Sequence, residues 1–521
     1  MSAMSGAIQI GGPPRSEPKY ELARRSGTGT QGFPITVRTN HFKLHLSAAT
    51  IVYQYDVTIE QVRDNPPPSG RPARKMPASL TRAVIAQLVK AYSSSPQIQG
   101  STLVYDGSKV IYASKRLNLG REQNHTFDLE ITETDGSGKS RFSVRIQEVG
   151  QIDLQCLDDL IGNRRYVPIS EWQAAAQAID IIFHMSPASK YPAQGNSFFV
   201  PDGEMDLGGG VHVRRGYVQS LRPGINDMFI NVDVAAMAFY PTGPLVEIIC
   251  RFLNVRDPME LRRGIPPKIH SDLKKYLKGL VVTVTHRGGA RGVRRSFKVL
   301  DLSRESPDEI KFKMTSSDNS EPERELTVTQ YCRERYNVSL HFPFLPCVEV
   351  KRGAFLPPEL CHVEPNQMYR RKLNETQTAT MIKFTCQKPH DRAKAIEDGV
   401  RLISYRDNEY LEGFSIRVEP RMHQVKARQL KPPTVLYNDK GRERSISPRD
   451  GAWNMRDKKV LSPASIKSWG VLVLDNRRPN MGPISGFLRT LLESFKHTGL
   501  DQFMSRPPVH FANPSGNIER D

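Results

Sequence analysis

Apolar and polar residues alternate along several stretches of the first 150 residues, and this alternation predicts β-strands. It is clearest in ITVRTNHFKLHL, in IVYQYDVTI, and later in HTFDLEITE and SRFSVRIQE. Between these stretches, the apolar residues of LTRAVIAQLVKAY recur at helical spacing. The dipeptide Asp106-Gly107 separates two β-rich arms and predicts a hairpin turn. We therefore expect an α+β module that ends near Gln147.

A second alternating pattern lies within residues 326–373. Val338, Leu340 and Phe342 fall on one face of an extended run, prolines follow, and alternation resumes at Val348 and Val350. This pattern predicts the wall of a small β-barrel with bends.

Aromatic and cationic residues are interleaved in the same region, where Tyr331 and Tyr336 enclose Arg333 and Arg335. Aromatic faces can stack bases while guanidinium groups hold phosphates. Half-buried packing tyrosines and solvated arginines would produce the same pattern, and composition alone favours that simpler interpretation.

A further basic cluster, Arg214, Arg215, Gln219, Ser220 and Arg222, could meet a phosphate backbone. A solvated charged turn would look the same. The buried strand INVDVAAMAF is predicted to follow it.

Composition narrows the class of protein. A chain of 521 residues is long enough for about three to four domains. Its 74 Lys and Arg residues against 55 Asp and Glu give a formal net charge of +19, which favours a polyanionic partner, with nucleic acid ahead of a membrane. We find no membrane-spanning apolar run and no signal peptide, so we expect a soluble intracellular protein.

Six scattered cysteines without a C-x-x-C pair argue against zinc ribbons and a disulfide framework. No metalloprotease, nucleophile-elbow or complete Walker motif is present either. We expect no metal site and no cofactor.

Several motifs together resemble one family. The run from YCRERYNV through LPCV to FLPPELC is similar to the core of the PAZ domain of eukaryotic Argonaute proteins. RRGYVQSLRP with INVDVAAMAFY resembles their first linker, the segment from DRAKAIEDG to LKPPTVLY their second, and GAWNM through WGVLVL the start of their MID domain.

The resemblance implies a multidomain α+β fold: an α+β N-terminal domain, a small PAZ β-barrel with an inserted hairpin and helix, and an incomplete α/β MID segment. The implied division is a disordered tail at 1–31, the N-terminal domain at 32–147, the first linker at 148–255, PAZ at 256–386, the second linker at 387–436 and the incomplete MID domain at 437–521.

The resemblance also implies a site for the 3′ end of a guide RNA within PAZ. Matched to the family, the phosphate and ribose contacts fall on His286, Arg295, Tyr331, Arg335 and Tyr336, and the packing against the terminal nucleotide falls on Phe312 and Leu356. Phe297 stands where the family commonly has tyrosine, and the missing hydroxyl implies a weaker grip on the RNA end. Gln219, Ser220 and Arg222 are implied, on one local motif, to lie near the guide backbone.

The same resemblance covers only the amino-terminal half of an Argonaute, without the PIWI nuclease domain. We therefore expect a binding protein of RNA silencing, not an enzyme, and interpret the chain as a truncated gene model, a natural fragment or a shortened family member. Its expected partners are a single-stranded guide of the siRNA or miRNA type and other silencing proteins, in the cytoplasm and also the nucleus. Two alternatives stay open: the amino-terminal part of a longer guide-directed RNA endonuclease, or a scaffold whose degenerate PAZ does not bind RNA.

Overall fold

The computed structural model describes residues 29–47, 50–62, 76–132, 139–162, 164–224, 226–284, 295–314, 324–474 and 480–513, and every structural statement refers to these residues. The expected tail at residues 1–31 lies almost wholly outside them. No described helix is long and apolar enough to cross a membrane. The described residues divide into two compact units, one of residues 38–424 and one of residues 29–37 with 425–513.

The first unit contains a five-stranded antiparallel sheet with one helix packed on it. Strand β1 (Phe33–Arg38) lies almost wholly in the second unit. The elements of the first unit up to residue 153 are β2 (His41–Leu46), β3 (Ile51–Val62), α1 (Ala78–Tyr92), β4 (Leu103–Tyr105), β5 (Val110–Ala113), β6 (Asn124–Thr132) and β7 (Lys139–Asp153). The sheet has the order β4-β5-β3-β7-β6. Helix α1 buries Val84 and Leu88 in a core shared with Tyr55 and Phe142 of the sheet. The strands and the helix predicted for this region are confirmed.

The turn between β4 and β5 explains why Asp106-Gly107 forms a hairpin. One carboxylate oxygen of Asp106 accepts hydrogen bonds from the N–H groups of Ser108, Lys109 and Val110 at 2.7–3.0 Å. Gly107 has φ = +84°, a conformation that residues with a Cβ rarely adopt. The predicted hairpin is confirmed.

Two helices and the strands of a second sheet follow. They are α2 (Gln155–Gly162), α3 (Ile169–Lys190), β8 (Ala193–Gln194), β9 (Ser197–Phe199), β10 (Met205–Gly208), β11 (Val211–Pro223) and β12 (Met228–Phe239). Strands β11 and β12 pair over twelve positions, from His212 opposite Phe239 to Pro223 opposite Met228. This is the longest strand pairing in the second sheet.

Residues 243–363 form two small sheets around one core. Their elements are β13 (Gly243–Pro244), α4 (Leu245–Leu253), α5 (Pro267–Leu277), β14 (Val281–Val284), β15 (Arg295–Lys298), β16 (Asp301–Leu302), β17 (Lys311–Met314), β18 (Arg324–Thr327), α6 (Val328–Tyr336), β19 (Val348–Lys351), β20 (Ala354–Leu356) and β21 (Cys361–Val363). The sheet orders are β13-β21-β14-β15 and β16-β19-β20, with β17-β18 a separate hairpin.

The expected barrel is not a closed ring of hydrogen-bonded strands in the described residues. The chain passes from one sheet to the other just after β15, where the N–H of Val299 donates to Leu280 and the N–H of Leu300 donates to Glu349. Both sheets bury side chains in the same core, including Val282 and Val348. The two sheets therefore enclose a barrel-like interior while their ladders stay separate.

The strand predicted through Val338, Leu340 and Phe342 is wrong, because residues 337–347 form a loop without strand structure. The loop starts at Asn337, which ends α6 in the left-handed conformation with φ = 53°. Its N–H groups at residues 341 and 342 donate to the carboxylate of Glu359 at 2.8–2.9 Å, where a strand would pair with a neighbour.

The last part of the first unit consists of α7 (Glu375–Thr385), α8 (Pro389–Ile403), α9 (Glu409–Gly413) and β22 (Ile416–Val418). Strand β22 joins the second sheet, whose order is β22-β2-β12-β11-β9-β8 with β10 paired to β11. Helix α8 lies close to β11: a Cβ added at Gly399 would stand 2.2 Å from the ring of Tyr217. Only glycine allows this approach without a shift.

The second unit contains β23 (Gln424–Gln429), β24 (Val435–Leu436), β25 (Ser445–Ile446), β26 (Val471–Leu474), α10 (Met481–Thr498) and β27 (Val509–Ala512). Strand β23 pairs with β1, and β24 pairs with β25. Strands β26 and β27 are parallel and α10 lies between them in sequence, which is a βαβ unit. The strand predicted in WGVLVL and the helix predicted after it are confirmed.

The close contact between Gly399 and Tyr217 leads us to predict how a substitution at Gly399 changes the stability of the protein. The substitution Gly399→Ala should lower the unfolding temperature, because the clash costs about 1–3 kcal/mol of overpacking and exceeds the roughly 1 kcal/mol of helix propensity gained. Gly486→Ala in α10 is the matched control, since no atom lies within 4 Å of its added Cβ, and it should leave the unfolding temperature unchanged or raise it. Calorimetry of both variants measures the shifts, and equal shifts would contradict the packing argument.

Candidate nucleic-acid interface

A cleft of about 180 Å³ lies beside α6, between this helix, β17 and β20. It is lined by Phe312, Val328, Tyr331, Cys332, Tyr336, Gly353, Ala354, Phe355, Leu356 and Pro357. Four of the eight residues predicted to hold an RNA end are therefore brought together, although they come from three separate stretches of the sequence.

The aromatic rings of the cleft pack edge to face. The ring centroids of Phe312 and Tyr331 are 5.2 Å apart at an interplanar angle of 80°, and those of Tyr331 and Tyr336 are 5.6 Å apart at 87°. Edge-to-face contacts of this kind are favourable and fix the orientation of each ring. The cleft thus has an ordered aromatic wall.

Helix α6 is held in place at both ends and along its inner face. Thr327 and Gln330 form a reciprocal capping box at its start, which satisfies backbone N–H groups of the first turn. Val328 and Cys332 are four residues apart, so they share a face, and both are buried in a small core with Cys347. The two tyrosines therefore stand on a firmly anchored helix.

Glu359 anchors the loop of residues 337–347. Its carboxylate accepts the two backbone N–H groups at positions 341 and 342 and lies 2.7 Å from Nδ1 of His341. Hydrogen bonds to a charged acceptor are roughly twice as strong as neutral ones. Glu359 lies two residues after Pro357 of the cleft wall, so its side chain connects the loop to the segment that forms this wall.

The cationic residues predicted for the site lie around the cleft or apart from it. Arg335 is exposed on α6, four residues after Tyr331 and hence on the same side of the helix. Arg295 is exposed on β15, and Phe297 of the same strand is partly buried against the core of the two small sheets. None of these three residues lines the cleft. His286 lies outside the described residues.

The three residues predicted near a guide backbone occupy different environments on β11. Gln219 is only 4% exposed, and its amide oxygen accepts a hydrogen bond of 2.5 Å from the hydroxyl of Tyr405. Ser220 is half-buried, and Arg222 is exposed near the end of the strand. Of the three, Arg222 alone presents a charge to solvent, while Gln219 is buried and bonds to Tyr405 within the protein.

Arg214, from the same basic cluster, is also an interior residue. Its Nε donates to Glu204 at 2.7 Å, its Nη1 donates to Asn366 at 2.8 Å, and its guanidinium lies 4.7 Å from the ring centre of Phe239. The expectation that Arg214 can meet a phosphate backbone is therefore wrong. Its charge is used within the fold.

Burial under the cleft raises the pKa of the Cys347 thiol, and the neighbouring Cys361 and Cys332 raise it further. Such thiols stay protonated near neutral pH and are poor nucleophiles. Among the described residues, no group of three or more His, Cys, Asp or Glu side chains is placed to hold a metal ion.

Several residues that line the cleft were not predicted from the sequence, namely Val328, Cys332, Gly353, Ala354, Phe355 and Pro357. The FLPPELC motif contains two of them, so that motif was the available signal. Val328 and Cys332 form the inward face of α6, for which no element was predicted from the sequence.

Family models match most of the chain in five consecutive segments. These are the N-terminal domain of argonaute at residues 33–183, the argonaute linker 1 domain at 193–241, the PAZ domain at 246–382, the argonaute linker 2 domain at 391–437 and the Mid domain of argonaute at 447–520. The chain belongs to the Argonaute family. The cleft beside α6 lies inside the PAZ domain.

Individual Argonautes agree with this assignment. The chain is 31% identical over 519 residues to protein argonaute 1D of Oryza sativa subsp. japonica, covering 97% of this chain and 47% of the relative. It is 32% identical over 518 residues to protein argonaute 5 of Arabidopsis thaliana, covering 96% and 48%. The chain thus spans about half the length of these relatives.

A solved Argonaute structure has the same fold. Kluyveromyces polysporus Argonaute with a guide RNA matches 97% of this chain and 58% of that chain with a TM-score of 0.61 at 16% sequence identity. At this identity the likeness concerns the fold, which is the multidomain α+β arrangement described above.

The role of Glu359 can be tested by hydrogen exchange. The substitution Glu359→Gln should speed the exchange of the backbone amides at His341 and Phe342 several-fold, because a neutral acceptor holds them less strongly. Mass spectrometry of peptides from residues 337–347 measures the effect. Glu349→Gln is the control, since Glu349 accepts from Gly353 outside the loop. Unchanged exchange in Glu359→Gln would show that the loop is held by other contacts.

Proposed function

We propose that the chain binds the 3′ end of a single-stranded small RNA in the cleft beside α6, as a guide-binding member of RNA silencing. The observation that supports this most is the aromatic wall of Phe312, Tyr331 and Tyr336 within a matched PAZ domain. Base stacking on such side chains contributes about 1–3 kcal/mol per base and tolerates any sequence. A binder of this kind suits guides of many sequences.

The cleft contributes the apolar part of the interaction, and charges around it contribute the polar part. Leu356 and Phe312 offer packing surface for the terminal nucleotide, and the hydroxyls of the two tyrosines can donate to phosphate or ribose oxygens. Arg335 on the same helix supplies a charge for the adjoining phosphate. We also assign Arg295 and His286 to phosphate contacts, further along the RNA strand.

The phenylalanine at position 297 sets the expected strength of the grip. It can pack against apolar groups, but it has no hydroxyl to donate to a phosphate oxygen. We therefore propose that end binding is weaker here than in family members with tyrosine at the matching position.

We further propose that this chain contributes guide binding and not RNA cleavage. Cleavage of a phosphodiester by two metal ions needs a cluster of carboxylates. The described residues contain no group placed to hold a metal ion, and the five matched segments do not include a PIWI domain. Because the chain spans about half of its relatives, a role as the guide-holding part of a longer nuclease is the second candidate.

Binding of a fluorescent single-stranded RNA tests the proposal. The double variant Tyr331→Ala/Tyr336→Ala should raise the Kd about tenfold, or roughly 1.4 kcal/mol, because the stacking surface is lost. An RNA whose 3′ hydroxyl carries a bulky group should bind the unaltered protein about tenfold more weakly. Fluorescence anisotropy measures both.

Tyr166→Ala is the matched control, since this tyrosine is exposed and lies outside PAZ. It should leave the Kd unchanged. If neither the blocked end nor the double variant alters the affinity, the protein binds RNA through its net charge alone, and the scaffold alternative gains support.

The salt dependence of binding tests Arg335 separately. For single strands, the logarithm of the binding constant falls with the logarithm of salt concentration by about 0.7 per phosphate contact. Arg335→Ala should reduce this slope by about that amount, and Arg304→Ala, another exposed arginine, should not. Equal slopes for Arg335→Ala and the parent would remove Arg335 from the RNA contacts.

A further inference from the structure

The second sheet of the first unit ends at β22, which has β2 as its one neighbour in the described sheet. The N–H of Glu419 donates to the carbonyl of Lys43 at 2.9 Å, so these two residues form a hydrogen-bonded pair. Such pairs alternate along an antiparallel ladder. The backbone groups of Ile416 and Val418 therefore point away from β2, toward the open edge of the sheet.

A groove of about 1090 Å³ lies along this edge. Strand β22 and residues 45–47 at the end of β2 form one wall, and the end of α8, the 3-10 turn Tyr405–Asp407 and α9 form the other. A strand edge that faces a helix across a groove is the arrangement in which an extended peptide adds to a sheet as a further strand. An open strand edge can also pair with other protein chains and aggregate, unless charged side chains along the edge prevent this.

The charges in the groove indicate what kind of peptide fits. Arg406 and Arg417 line it and are exposed, and neither has an ion-pair partner among the described residues. Arg401 also lines it, although its guanidinium pairs with Asp398. Two free guanidinium groups beside a strand edge favour a peptide with acidic side chains.

The backbone of the strand edge favours a peptide over RNA in this groove. The carboxylates of Glu412 and Glu419 also line it, and they repel the negative charges of either ligand, so they do not distinguish the two. The open edge offers both N–H donors and C=O acceptors, and an extended peptide backbone satisfies both, whereas phosphate oxygens only accept.

We propose that the edge of β22 is a docking site for an extended, acidic peptide segment of a partner protein. The segment adds as one more strand beside β22, and its acidic side chains meet Arg406 and Arg417. The site is separate from the PAZ cleft and does not depend on the proposed RNA binding.

Peptide binding to the full chain tests the charge requirement. A fluorescein-labelled peptide of alternating threonine and aspartate should bind, and the same peptide with lysine for aspartate should bind at least about tenfold more weakly. The double variant Arg406→Glu/Arg417→Glu should raise the Kd of the acidic peptide about tenfold. Arg262→Glu, at an exposed arginine on the 3-10 helix Pro258–Arg263, is the matched control and should not change it.

Backbone methylation of the peptide tests strand addition itself. Two isomers are made, one N-methylated at every threonine and the other at every aspartate, so that each loses the N–H groups of one edge. Only one edge of an added strand pairs with β22, so one isomer should lose binding and the other should keep it. On binding, the amides of Ile416 and Val418 should also exchange more slowly with deuterium.

Several results would overturn the proposal. These are no binding of the acidic peptide, equal binding of both methylated isomers, or equal binding of the lysine peptide. Competition by single-stranded RNA that is itself weakened in Arg406→Glu/Arg417→Glu would assign the groove to RNA. Because both arginines are exposed, the double variant should fold, and circular dichroism checks this.

Discussion

The pairing of β11 with β12 over twelve positions is the constraint on which the first unit depends. One ladder supports helices α3 and α8, receives β2 and β9 at its two edges, and leads directly into the PAZ region. Its interior is so closely packed that Gly399 of α8 has no room for a Cβ against Tyr217. One polar contact also crosses this interior, where the hydroxyl of Tyr405 donates a hydrogen bond to the amide oxygen of Gln219.

The PAZ cleft and the groove beside β22 differ in the chemical groups that they present to a ligand. The PAZ cleft is made of side chains on a short, well-capped helix, so its properties follow from the identity of Tyr331, Tyr336 and Phe312. The groove beside β22 offers backbone groups first and side-chain charge second. We propose the first arrangement for stacking the end of a polymer with variable bases, and the second for pairing with another polypeptide.

Local patterns were sufficient for elements whose structure is decided locally. The Asp106-Gly107 hairpin was predictable because one aspartate side chain satisfies three successive N–H groups. The helix of residues 78–92 was predictable because its apolar spacing matches one buried face. Residues 337–347 were not predictable in this way: their alternation is real, but the N–H groups of the loop bond to Glu359, which lies further along the chain.

The sequence by itself determined the family, the order of the segments and the aromatic character of the PAZ site, because motifs such as YCRERYNV are contiguous. Only the tertiary structure decided which polar residues face solvent. Arg214 and Gln219 belong to one basic cluster in the sequence, yet both are buried by partners from distant segments, Asn366 and Tyr405. The open edge of β22 was equally invisible, since a strand has a free edge only by its position in the finished sheet.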